Sequence, residues 1–272
     1  MRMGLTYDLQ TDPEDPRQAE FDPPRTIEVL TEALTELGHE VVPLGSAHQL
    51  LSPQERLEGL ALVFNLAEGS SGRCREAWVP MLLEQRGIPF VGSDATAQAL
   101  ALDKAMTKRL AAWAGVPTPR WVVATDPRRL PLELPAAFPL IVKPRYEGSG
   151  IGVDPGAVVN DPEALRRRVA WLIGRGYQDG LIEEFIPFGE VTVWLIGNDP
   201  PTVFPAIQRP LDPSTRLSTH VARRAVEGIC PVELTLALEA AVGRMAKAVF
   251  EALGCRDLAR VDFRVDAEGR PW

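Results

Sequence analysis

The chain has 272 residues, 45% hydrophobic and 24% charged, and its 29 Lys and Arg against 37 Asp and Glu give a net charge of −8. This length builds two or three small lobes with a real core, and the fractions are ordinary for a globular protein. The acidic balance argues against nucleic acid as a partner, no apolar run is long enough to cross a bilayer, and three scattered cysteines make neither a disulfide framework nor a zinc site. Met1 to Asp8 opens directly into a short strand with no signal-peptide core, so a cytoplasmic location fits, and Cys230 reads as a small buried or half-buried residue.

In chain order, Met3 to Thr6 reads as a strand. A helix opens at Pro24 with Ile27, Leu30, Leu34 and Leu37 on one face, and Gly38 stops it. Glu40 to Leu44 and the apolar run Leu60 to Asn65 are the next strands, followed by a helix from Glu76 to Gln85 and a strand from Ile88 to Val91. Alternating strands and helices predict a doubly wound parallel sheet, and such sheets carry ligand loops at strand C-termini. Ala67-Glu-Gly-Ser-Ser-Gly-Arg73 is a loop of that kind. Asp94 to Ala114 reads as one helix, ended by Gly115-Val-Pro-Thr-Pro119, with a strand from Arg120 to Ala124 and a Pro-rich connector from Pro127 to Pro139.

The most informative stretch comes next. Leu140-Ile-Val is a buried strand that delivers Lys143, and a loop carrying Gly148, Ser149, Gly150 and Gly152 follows it. Glycines let a backbone turn its N–H groups toward an anion, and a lysine at the strand end adds a positive point charge. The spacing is neither that of a Walker loop nor that of a Rossmann fingerprint. A plain Gly-Ser-Gly hairpin is the alternative. Further on, Pro162 to Ile173 reads as a helix, and Gly180 to Ile186, Val191 to Ile196 and Val203 to Ile207 as strands. Arg209 to Pro231 lacks a period and reads as a long mobile loop, the kind that usually serves a site. A helix from Pro231 to Leu253 and a strand from Leu258 to Val265 complete the pattern. The turn Ala267-Glu-Gly269 leads into a returning arm that stops at Trp272, which reads as a last lobe lacking its C-terminal part.

The order of these motifs resembles the ATP-grasp superfamily, in its D-alanine–D-alanine ligase-like branch. The resemblance runs from about Val63 to Trp272 and rests on Gly87-Ile-Pro-Phe-Val-Gly-Ser93, Leu102-Asp-Lys-Ala-Met-Thr-Lys108, Ala114-Gly-Val-Pro-Thr-Pro119, Ile141-Val-Lys-Pro144 with its glycine loop, Ile182-Glu-Glu-Phe-Ile186 and Ala259-Arg-Val-Asp-Phe263. It implies an α/β fold in which a parallel-sheet domain at 1–95 precedes two α+β lobes at 96–181 and 182–272, the last incomplete.

The resemblance also implies roles. Lys104 and Lys143 would contact nucleotide phosphates, and Glu147, Gly148, Ser149, Gly150 and Gly152 would fold over them. Glu183, Glu184, Phe185 and Ile186 would form a hinge that reads adenine through backbone groups, with Glu190 on the ribose. Asp262 would bind Mg²⁺, with Mn²⁺ as an alternative, while Arg260, Lys143 and Ser149 would act in catalysis. Lys104 and Lys108 lie four residues apart, and the family pattern favours Lys104 as the ligand. The implied activity is ATP-dependent joining of a carboxylate to an amine through an acyl phosphate, on amino-acid-like substrates, in cell-wall synthesis and with a homodimer by family analogy. A ligase for another amino acid, peptide or hydroxy acid, or a nucleotide-binding protein without turnover, are the alternatives.

Several substrate-facing positions depart from the family pattern. Tyr7-Asp-Leu-Gln-Thr-Asp-Pro-Glu-Asp-Pro stands in place of a glycine-rich opening with a glutamate. Glu68-Gly69 replaces a His-Gly turn, Arg73 replaces an acidic residue, and His220-Val221 stands where a Lys-Tyr pair is usual. Glu68, Gly69, Arg73 and His220 are therefore the candidate substrate residues, and the pattern expects a substrate other than D-alanine alone.

Overall fold

Strands β1 (Arg2–Thr6), β2 (Glu40–Gly45), β3 (Leu62–Asn65) and β4 (Phe90–Val91) form an all-parallel sheet in the order β2-β1-β3-β4. Parallel neighbours need crossovers. Helices α1 (Pro24–Glu36), α2 (Ala47–Leu50) and α3 (Trp78–Gln85) provide them, and Leu44, Leu50, Val63, Val79 and Leu83 close the core between sheet and helices. This is the doubly wound lobe that the alternating pattern predicts. The computed structural model describes residues 1–51, 56–218 and 227–272. The chain divides into two compact units, Met1–Leu102 with Gly254–Asp257, and Asp103–Leu253 with Leu258–Trp272.

The second unit contains two antiparallel sheets. One takes β5 (Trp121–Ala124), β6 (Leu140–Pro144), β7 (Val158–Val159) and β8 (Gly180–Glu184) in the order β5-β8-β6-β7, with α6 (Pro162–Gly174) laying Leu165, Val169 and Leu172 against Leu140, Val142 and Ile182. In the other, β9 (Gly189–Ile196) pairs along its whole length with β12 (Leu258–Val265), and also with β10 (Thr202–Val203) and β11 (Ile207–Gln208). Val191, Val193 and Leu195 alternate into the interior, and helix α7 (Leu236–Leu253) buries Val242, Ala246 and Phe250.

The structure corrects several boundaries. Leu37 caps α1 and is 72% exposed, so it leaves the face it shares with Ile27, Leu30 and Leu34 in the periodic reading. Strands β3 and β4 start two residues later than expected, and α2 was not foreseen. The run Val203 to Ile207 is two short strands, because Pro205 between them cannot donate to a ladder. Helix α7 starts at Leu236 rather than Pro231: Val232 is held outside it by Gln208, whose side chain bonds both its N–H (2.6 Å) and its carbonyl (2.8 Å). The Thr235 hydroxyl then caps the helix at the Leu238 N–H, 3.2 Å away. The described flanks of the expected mobile loop are tied down, since Leu211 is fully buried and bridges both Ser218 and Ile229. Cys230 is exposed, not buried.

The single helix expected from Asp94 to Ala114 is two, α4 (Ala95–Leu102) and α5 (Lys104–Trp113). Asp103 breaks it. Its backbone is extended and its carboxylate accepts from the N–H groups of Ala105 (3.0 Å) and Met106 (3.2 Å), the geometry of an N-cap. The same carboxylate receives the Arg145 guanidinium in a two-pronged contact at 2.7 and 2.6 Å, with Asp103 itself 3% exposed. We predict that Asp103→Ala, which removes the cap and leaves Arg145 with Asp179 alone, lowers unfolding stability by about 2–4 kcal/mol, and that Asp103→Asn falls between it and wild type. Urea denaturation of the three proteins checks this.

Candidate functional site

The loop after β6 is built from two successive turns. The Ile151 N–H donates to the Gly148 carbonyl and the Val153 N–H to the Gly150 carbonyl, each at 2.9 Å. Ser149 (φ 44°), Gly150 (φ 73°) and Gly152 (φ 70°) have left-handed backbone, which glycine adopts freely and serine does not. Strain of this kind at a serine is characteristic of functional loops. A side chain at Gly152 would collide with Pro144, 2.5 Å from an added Cβ. Only Ile151 and Val153 are used to close the turns, so the Gly150 and Gly152 N–H groups stand outside those hydrogen bonds. The loop joins β6 to its antiparallel neighbour β7 through these two closed turns.

Its base is fixed by charge. Arg145 pairs with Asp103 and, at 3.1 Å, with Asp179, while the Lys104 N–H donates to the Arg145 carbonyl at 3.2 Å. The Lys104 ammonium donates to the Glu147 carbonyl. Lys104 thus braces the loop stem.

Beneath it lies a buried charge cluster. Glu183 on β8 is 4% exposed and sits between Lys143 on β6, 3.1 Å from Oε1, and Lys108 on α5, 2.9 Å from Oε2. The contact at Oε2 is electrostatic rather than a well-directed hydrogen bond. Lys108 also donates to the Thr118 hydroxyl and, at 3.2 Å, to the Pro119 carbonyl. Burial alone would raise the Glu183 carboxyl, but Lys143 and Lys108 outweigh it and hold it below the ordinary value. Burial pushes Lys108 down to about 8, against the opposing pull of Glu183.

The strand carrying Glu183 is flanked by β5 and β6 and ends at Glu184, so Phe185 and Ile186 lie past the ladder. Glu184 pairs with Arg120 at the surface, 3.1 Å away. The Ile186 carbonyl accepts from Arg264 at 2.8 Å, and Arg264 also holds Glu190 at 3.0 Å and stands over the Phe185 ring. Arg260 and Asp262 point from one face of β12 and pair with each other through two contacts of 3.1 Å. The Thr192 hydroxyl donates to Asp262 at 2.7 Å. Among the described residues no three His, Cys, Asp or Glu side chains gather to hold a metal. A lone half-exposed carboxylate such as Asp262 fits an ion of the magnesium type, which takes one or two protein carboxylates and fills its shell with phosphate and water.

The first unit holds the other candidates. The Asp8 carboxylate accepts from the N–H groups of Glu68 (3.0 Å) and Gly69 (2.7 Å), which fixes the loop after β3. Gly69 has φ 75°, and a Cβ there would meet the Arg75 carbonyl at 2.7 Å. Arg75, 4% exposed, lies between Glu20 at 2.5 Å and Glu76 at 3.2 Å. Burial, with Glu76 and Glu20 nearby, pushes Glu68 up to about 8. Arg73 is exposed on the loop, and His220 lies outside the described residues.

The structure therefore brings Lys104, Lys143, Glu147 and Glu183 to one end of the β6 sheet with the glycine loop, and puts Glu190, Arg260 and Asp262 on paired strands β9 and β12. Sequence reasoning set Lys108 aside in favour of Lys104, yet its spacing put both on one helix face. Arg145, Arg264 and Arg75 were missed, since an arginine in a strand, a loop or a single helical turn has no periodic signature.

The family described as D-ala D-ala ligase C-terminus matches residues 106–272. The uncharacterized protein y4sG of Sinorhizobium fredii is 33% identical over 266 residues, which is 91% of this chain and 76% of that protein. The D-alanine–D-alanine ligase of Syntrophotalea carbinolica is 32% identical over 247 residues, 90% of this chain and 77% of its own. Among solved structures, the D-alanine–D-alanine ligase of Bacillus anthracis complexed with ATP overlays all of this chain and 84% of its own with a TM-score of 0.75 at 23% identity. VanG D-Ala:D-Ser ligase of Enterococcus faecalis overlays 99% of this chain and 88% of its own, with a TM-score of 0.74 at 18% identity. The fold is that of the ATP-grasp ligases. The chain belongs to the D-alanine–D-alanine ligase family.

Glu68 and Lys108 predict opposite pH dependences. Glu68 is raised, so its contribution to stability is full below its ordinary 4.5 and is lost as pH rises through about 8. Lys108 is lowered, so its contribution is full above its ordinary 10.5 and is lost as pH falls through about 8. Glu68→Gln should remove a decline in stability between those first two values, and Lys108→Met a rise between the second two. Unfolding midpoints of both variants across pH check the signs.

Proposed function

We propose that this protein is an ATP-dependent carboxylate–amine ligase that works through an acyl phosphate. The observation that carries the reading is the loop of positive-φ residues at 148–152 set beside Lys143 and Lys104, in a chain of this ligase family. Lys143 is 23% exposed, so its ammonium can exchange its Glu183 contact for a phosphate oxygen without leaving the strand end. Phe185 and Ile186, past the end of the β8 ladder, offer backbone groups to a planar base, and Glu190 offers carboxylate oxygens to ribose hydroxyls.

A substrate carboxylate oxygen attacks the γ-phosphorus as the bond to ADP breaks, giving an acyl phosphate. An amine then adds to the acyl carbon, loses a proton, and expels phosphate to leave an amide. Nothing in this route requires a protein nucleophile. Lys143, Lys104 and the glycine-loop N–H groups supply fixed positive potential where charge develops on phosphoryl oxygens, and Ser149 stands at the exposed tip of that loop. Arg260 supplies the same to the tetrahedral intermediate. A magnesium ion held by Asp262 and nucleotide phosphates would neutralise further charge.

The substrate side of the reading is a ligand other than D-alanine alone. Glu68 stands where the family offers a His-Gly turn, and its neighbours Glu76, Glu20 and Asp22 make that corner anionic around one arginine. A carboxyl in place of an imidazole at this half-buried position changes which substrate group is left unpaired.

Two measurements test the proposal. Calorimetry with a non-hydrolysable ATP analogue should show Lys143→Ala losing about 1.5–3 kcal/mol of binding free energy, the range for a charge-assisted hydrogen bond. Unchanged affinity refutes the phosphate assignment. ADP release against a panel of D- and L-amino acids, dipeptides and hydroxy acids should single out a substrate pair other than two D-alanines; efficient D-alanine–D-alanine synthesis would overturn the substrate reading and leave the ligase reading intact.

A further inference from the structure

The glycine loop has a strand behind one stem and none behind the other. Its first stem continues β6, whose ladder with β8 runs to the Pro144–Gly180 pair. Past Gly152 no strand begins until Val158, so something else must fix the second stem. Arg168 does. It projects from α6 with a side chain 6% exposed, donates to the Gly152 carbonyl at 2.5 Å, and grips Asp154 at 2.9 and 3.1 Å. Asp154 in turn accepts from the Gly156 N–H at 2.8 Å. The guanidinium lies over the Trp171 ring, 4.1 Å from its centroid, and the Trp171 and Tyr177 rings are neighbours at 6.4 Å. Tyr177 reaches to 3.1 Å of the position a Gly152 Cβ would take.

Core stability alone gives no reason for this residue. The same helix packs Leu165, Val169 and Leu172 into an apolar cluster, and a well-packed apolar side chain often serves as well as a buried ion pair or better. The Arg168 Nε has no acceptor, which adds an unmet hydrogen bond to the cost of burying the cation. What the arrangement does supply is direction. In a trans peptide the carbonyl and the next N–H point opposite ways. Holding the Gly152 carbonyl toward α6 aims the Val153 N–H at the Gly150 carbonyl, and that bond closes the second turn of the loop.

We propose that Arg168, braced by Asp154, is a positioning residue that sets the orientation of the glycine loop and thereby its grip on nucleotide phosphates. This rests on the phosphate reading above, and it assigns the loop's geometry to a side chain that touches no phosphate. Arg168 acts only through Gly152 and Val153.

The test compares wild type with Arg168→Leu, Arg168→Lys and Asp154→Asn. Calorimetry with a non-hydrolysable ATP analogue and with adenosine separates positioning from folding, because adenosine lacks the phosphates. Arg168→Leu should weaken the ATP analogue by about tenfold or more while adenosine stays within about twofold. Arg168→Lys, which keeps charge but loses the fork, and Asp154→Asn should fall between. Equal losses for both ligands, or none for the ATP analogue, overturn the proposal. Amide hydrogen exchange on the ligand-free proteins tests the loop step without any nucleotide: the Val153 amide should exchange about tenfold faster in Arg168→Leu, with a melting temperature that accounts for no such change elsewhere in β6 and α6. Unaltered Val153 exchange overturns the proposal even in a chain whose wild type binds no nucleotide, a result that would separately sink the phosphate reading.

Discussion

Glu183 is a carboxylate set in an interior strand of an antiparallel sheet, where an unpaired charge could not survive. It persists because Lys108 from α5 and Lys143 from β6 reach it from two elements. Together the two contacts fix the helix to the sheet and set the end of the strand from which the glycine loop departs. Removing either lysine would leave the acid partly compensated; removing Glu183 would leave two ammonium groups facing each other. The arrangement tolerates little change on any of its three sides.

A second tier of pairing stands around this triad. Asp103 ends one helix, begins the next and holds Arg145, so one carboxylate is both cap and counter-ion. Arg264 joins the exit of β8 to Glu190 on β9 and to the Arg216 carbonyl. Each of these arginines has acceptors from separate parts of the chain, which suits a planar fork with five donors better than a flexible ammonium.

Much of the architecture was legible in the sequence because it follows from periodicity. Apolar runs flanked by glycine or proline announced β1, β3, β6 and β8, and the order of motifs announced the family. What failed did so for local reasons. Asp103 looks like one more polar residue on a long helix until its carboxylate is seen folded back on two N–H groups. Val232 lies in a run that reads as helix, and a glutamine from β11 bonds both its backbone groups instead. Among the candidate site residues, Lys143 and the glycines were readable because strand-then-glycine spacing is itself a signal. Lys108, Arg145, Arg168 and Arg264 were not, because pairing between separate elements, from 14 positions apart for Arg168 and Asp154 to 74 for Arg264 and Glu190, leaves no trace in local pattern. The packing of α5 and α6 and the register of the strands bring them together, and both are properties of the folded chain.

The two turns of the glycine loop carry one more consequence, and it concerns entropy. A floppy glycine-rich segment must surrender its backbone freedom when it closes on a ligand, at a cost of roughly 1–2 kcal/mol per residue. Here Ser149, Gly150 and Gly152 already occupy the left-handed region, both turns are closed, and Arg145 and Arg168 fasten the stems. Most of that ordering is complete before any anion arrives. Binding at such a loop draws its affinity from electrostatics with little lost to chain ordering, and the serine held at φ 44° stores part of that preparation as strain in the free protein.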